Sequence, residues 1–137
     1  MTDANRFFKN VDEAMILVYS GINGIYRDNQ DAFDNKPTCY EYHCAQKARN
    51  AILNARNAIN FIGYCIKDKA CTTETVLFWI SYVEREIAFA RYILDHCPYL
   101  SNDKLMSDLS RLGEDLCFLE KEVGNYSQNT REGNERP

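Results

Sequence analysis

The sequence predicts an all-α protein, an antiparallel up-down four-helix bundle. Three observations carry that expectation. Four separate segments return apolar residues at alternating three- and four-residue steps, which lays one apolar stripe along each helix. One segment holds a near-perfect heptad repeat, in which Ala48-Arg49-Asn50-Ala51-Ile52 recurs seven residues later as Ala55-Arg56-Asn57-Ala58-Ile59. Helix breakers are scarce, with 3 Pro and 6 Gly in 137 residues, whereas 9 Tyr and 7 Phe are available to fill space.

The first helix is expected from about Asp3 to Tyr26, with Val11, Met15, Val18, Ile22 and Ile25 on its inner face. Gly21 and Gly24 weaken its last turns. Residues 27–37 are polar, carry four Asp or Asn side chains between 28 and 34, and close on Pro37. They read as a loop with one short turn around Ala32-Phe33. The second helix runs from Thr38, its N-cap, to Lys67. Ala48, Ile52, Ala55, Ile59, Ile62 and Ile66 form its stripe, widened by Ala51 and Ala58, and the alanines allow a neighbouring helix to approach closely.

Thr72 or Thr73 caps the third helix, and Glu74 sits favourably against the positive end of its dipole. Its inner face is Val76, Trp79, Ile80, Val83, Ile87, Ala90 and Leu94, and Pro98 ends it. Ser101 caps a fourth helix with Leu105, Leu109, Leu112, Leu116, Leu119 and Val123 at unbroken spacing. Gly124-Asn125 is a C-cap signal. Residues 1–124 are therefore expected to form the bundle, and 125–137 a polar, disordered tail.

A net charge of −4 and a pI near 5.2 argue against a protein that coats nucleic acid over its whole surface. Charge is nonetheless uneven: between Cys44 and Lys69 five basic residues oppose one acidic residue, while beyond Tyr99 eight acidic residues outnumber five basic ones. No apolar run approaches the roughly 20 residues that span a bilayer. The opening residues have no apolar core of a signal peptide, so the expected location is cytoplasmic. The six cysteines, with no Cys-x-x-Cys pair among them, are expected to be reduced.

Three constellations bear on function. The polar side of the second helix offers Lys47, Arg49, Asn50, Arg56 and Asn57 as a surface for nucleic acid or a protein partner. Arg91-Tyr-Ile-Leu-Asp-His96 resembles the Arg-x4-His element of the HEPN ribonucleases, all-helical domains of about this length, with Tyr92 where those motifs usually carry a polar residue. That resemblance implies Arg91 holding a phosphate and His96 acting on the 2′-hydroxyl, without a metal. Folding the second helix back on the third places position 43 opposite 97, so Cys39, His43, His96 and Cys97 are a candidate zinc set. The bland reading makes these residues helix-surface and helix-end positions. The carboxylates Glu114, Asp115, Glu120 and Glu122 read as a solvated face, and the surplus tyrosines as an oligomer surface or a stacking surface for RNA bases.

The helix order from Met15 to Val123, the run Gln46-x-x-Arg49-x-Ala51 with Asn57, and Tyr99-Leu100-Ser101 before the Leu-rich last helix resemble the four-helix-bundle family of 23S rRNA intervening-sequence proteins and the accessory variability proteins of diversity-generating retroelements. Ala55 and Asn60-Phe61 stand where that family has a Pro and an acid-Gly pair. The resemblance implies a non-enzymatic homo-oligomer, such as a pentameric ring, without a cofactor, that engages RNA and a reverse transcriptase through the basic face. The alternatives are the ribonuclease and a phage or defence-system factor that works by protein–protein contact.

Overall fold

In the computed structural model the backbone is described for residues 3–34, 39–67, 72–98, 100 and 102–135, and side chains for 9–34, 39–66, 72–98, 100 and 102–125. Five helices and no strand are found among these residues: α1 (Asp3–Asp28), α2 (Gln30–Asp34), α3 (Cys39–Lys67), α4 (Thr73–Asp95) and α5 (Asp103–Glu135). Helix α1 packs on α3 and α5, and α4 packs on the same two. The pairs α1/α4 and α3/α5 make no close approach among the described residues, so the four long helices close a ring around one core. The short α2 lies against α3 and the end of α1.

The stripes read from the sequence are the core. Val11, Met15, Val18, Ile22 and Ile25 of α1 are all buried, as are Ile52, Ile59, Ile62 and Ile66 of α3 and the Leu series of α5 from Leu105 to Leu119. Each buried aliphatic side chain contributes on the order of 2 kcal/mol through removal of apolar surface from water. Ala45, Ala48, Ala51, Ala55 and Ala58 are buried too, which brings the backbone of α3 close to its neighbours. Trp79 departs from the expectation. It is only half-buried at the edge of the core, whereas Ile93 joins Leu94 on the inner face.

The expected loop after α1 contains a helix. Asn29 Nδ2 donates to the Ile25 carbonyl at 2.8 Å and its own carbonyl accepts from Phe33 N at 3.0 Å, so one residue ends α1 and starts α2. The reason for the turn is Phe33, which is fully buried. A polar segment is folded here because one aromatic ring pulls it onto the core.

The caps are unequal matches. Thr72 caps α4, its hydroxyl accepting from Thr75 N at 3.2 Å. Helix α5 is capped by Asn102, whose Oδ1 accepts from Leu105 N at 2.8 Å. Thr38 and Ser101, the other caps read from the sequence, lie outside the described residues. Gly124-Asn125 does not end α5, which runs on to Glu135. A glycine inside a helix costs only about 1 kcal/mol, so it is a weak terminator. Cys97 and Leu100, buried in the link between α4 and α5, extend the core past the end of α4.

Candidate binding surface

The heptad repeat places Arg49 and Arg56 two turns apart on one side of α3. That side faces α1. Arg49 Nη2 donates to the Tyr26 hydroxyl at 3.2 Å, and Arg56 Nη1 donates to Asn23 Oδ1 at 3.3 Å. Both guanidinium carbons lie 5.8 Å from the Tyr26 ring centroid, within cation–π range. Arg49 Nε is shielded from water and faces the Asp34 carboxylate at 3.7 Å, so that attraction is coulombic rather than a hydrogen bond. Gln46 completes the set: its Nε2 donates to the Phe33 carbonyl at 3.3 Å and its Oε1 accepts from Arg49 at 3.5 Å. The two arginines therefore tie α3 to α1 and α2.

The other members of the proposed polar surface are placed differently. Lys47, Asn50 and Asn57 are exposed, and Asn57 joins Asn54 on the side of α3 next to α4. The five residues do not form one continuous basic face, because the arginines lean toward α1 and the asparagines stand outside.

What α3 and α4 do share is an aromatic ridge. Asn54, Asn57, Ala58 and Phe61 of α3 line a shallow groove with Trp79 and Tyr82 of α4. Trp79 is its centre: Phe61, Phe78 and Tyr82 each meet it edge-on, at centroid distances of 5.3, 5.4 and 5.5 Å and interplanar angles of 64°, 88° and 72°. That is the favoured geometry for aromatic pairs. Phe61 is 48% exposed and Phe78 59% exposed. Of the ten exposed large apolar side chains among the described residues, seven lie on these two helices: Tyr40, Tyr42, Phe61, Tyr64, Phe78, Phe89 and Tyr92. A fold that has enough aliphatic residues to fill its core is presenting its aromatics outward.

The structure does not gather the Arg91–His96 pair into one site. Arg91 is exposed in the groove between α4 and α5. His96 is the C-cap of α4, its Nδ1 sits 2.8 Å from the Tyr92 carbonyl, and its ring lies over Tyr92 at 4.3 Å. Five residues of helix separate the two side chains by about 140° of rotation, which points them to different faces.

The candidate zinc set is not assembled either. Among the described residues no three His, Cys, Asp or Glu side chains come together as a metal site. Cys39 and His43 are exposed while Cys97 is buried. The start of α3 does meet the end of α4 near position 97. Tyr40 lies near Cys97, and the Cys44 thiol beside Tyr40 raises that phenol above its ordinary pKa.

No helix among the described residues is long and apolar enough to cross a membrane. Comparison of the chain with family models, with curated proteins and with solved structures finds no match.

Proposed function

We propose that this chain is a non-enzymatic, self-associating binding module, an antiparallel up-down four-helix bundle whose aromatic ridge on α3 and α4 seats a second copy of itself. The observation that carries the reading is the edge-to-face cluster of Phe61, Phe78 and Tyr82 around Trp79, in which Phe61 is 48% and Phe78 59% exposed. Interfaces are enriched in such side chains, which bury much area at little conformational cost. Asn54 and Asn57 supply hydrogen-bonding groups along the rim. The short connection from α3 to α4 supports antiparallel pairing of those helices, and the ring of neighbours supports the bundle. A homo-oligomer is also what the resemblance to intervening-sequence and retroelement accessory proteins implies.

Light scattering tests this directly. The wild-type protein is expected to exceed its 15.9 kDa chain mass by an integral factor. Phe61→Glu combined with Phe78→Glu is expected to give the monomer with an unchanged helical circular dichroism spectrum, since both rings point outward. Trp79, the single tryptophan, reports the same event as a red-shifted emission in the variant. A wild-type protein that stays monomeric at all concentrations overturns self-association. Salt-sensitive RNA binding that disappears on Lys47→Glu would instead assign the exposed polar side of α3 to nucleic acid.

A further inference from the structure

We propose that Glu84 of α4 and Glu120 of α5 form a proton-dependent latch between these helices. The Glu120 side chain reaches α4 within one turn of Glu84, at Ser81, so the two carboxyl groups face one another across the helix pair. Glu84 Oε1 is withdrawn from water, and no protein donor reaches it. The Ser81 hydroxyl, one turn before Glu84 on α4, donates to Glu120 Oε2 at 3.5 Å. Two carboxylates in contact with no donor between them repel. The arrangement becomes favourable when one proton is shared, as one carboxyl then donates to the other.

The surroundings reinforce this. The groove that contains Glu84 is lined by Ile87, Ala88 and Arg91 of α4 and by Ser110, Gly113, Glu114 and Cys117 of α5. Glu114 adds an exposed negative charge to the same groove. Arg91 is the one cation lining the groove among the described residues, and it is exposed, two turns along from Glu84. No α3 residue lines it. Burial first, and then the neighbouring Glu120, raise the Glu84 carboxyl from its ordinary 4.5 to about 7. The folded state therefore holds a proton that the unfolded chain has released. Stability from the latch is complete below pH 4.5 and is lost as pH rises through about 7.

The test is thermal unfolding of the full chain between pH 5.5 and 8.5. The wild-type midpoint is expected to fall across this interval by roughly 5 °C. Glu84→Gln and, separately, Glu120→Gln keep the shape and supply an amide donor, so either is expected to remove most of the slope. Glu122→Gln, on the exposed side of α5, is expected to keep it. Comparing each variant with the wild type cancels the contribution of every group that both retain. Equal slopes in the wild type, Glu84→Gln and Glu120→Gln would overturn the latch, and so would a loss of slope in Glu122→Gln alone. If one Gln variant fails to fold, the other decides the outcome.

Discussion

Arg49 of α3 donates to the Tyr26 hydroxyl of α1 at 3.2 Å while its guanidinium lies against the ring of the same residue. One arginine thus joins three helices, because Asp34 of α2 faces its Nε. The half-buried position of the group makes this more than a surface ion pair, since its shielded Nε has lost water.

Removing either partner should therefore destabilise the fold. Arg49→Ala is expected to cost about 1–2 kcal/mol and Tyr26→Phe about 0.5–1.5 kcal/mol, measured by urea unfolding. The double variant should cost less than the sum of the two by at least about 0.5 kcal/mol, because the residues touch. Strict additivity would remove the proposed coupling.

Phe33 anchors a five-residue helix that has no other fully buried side chain. Phe33→Ala should cost roughly 3–5 kcal/mol by leaving a cavity under α2. Proteolysis within residues 29–34 is the sensitive readout, and a variant as resistant as the wild type would contradict the anchoring role.

The two observed caps make parallel predictions. Thr72→Ala and Asn102→Ala should each lower stability by about 1 kcal/mol, since each leaves a first-turn N–H without its acceptor. The sites lie at the starts of different helices and share no partner, so their costs should add in denaturant titrations.

Gly24 and Gly63 sit inside α1 and α3 with open space where a Cβ would stand. Gly24→Ala and Gly63→Ala are each expected to raise stability by roughly 0.5–1 kcal/mol, seen as a higher melting temperature. Gly63 also lines the groove between α3 and α1 with Asp12, Ile16 and Tyr64, so a loss of stability there would reveal a contact the open space does not suggest.

Much of the fold was legible because burial follows spacing. Ile52 and Ile59 had to turn inward once the heptad placed them on one stripe, and the Leu series of α5 behaved likewise. The repeat that made α3 conspicuous was read correctly for its apolar half and incompletely for its polar half. Arg49 and Arg56 fall beside the stripe, where a long side chain can reach water or the next helix with equal ease. Which it reaches depends on Tyr26 and Asn23 standing opposite, and those residues lie more than 20 positions away in the chain. The four carboxylates of α5 show the same limit. Glu114, Asp115 and Glu122 are exposed as expected, whereas Glu120 is half-buried and accepts from Ser81 of α4.

The amino-acid sequence by itself determined the four long helices and most of their inward faces, because a 3.6-residue period can hide an apolar stripe in only one direction. The tertiary structure alone decided the neighbours: that Arg49 leans on Tyr26, that Trp79 gathers Phe61, Phe78 and Tyr82, and that Glu84 meets Glu120. Those pairings depend on the rotation and register of one helix against another, which small differences in packing set and no local pattern encodes.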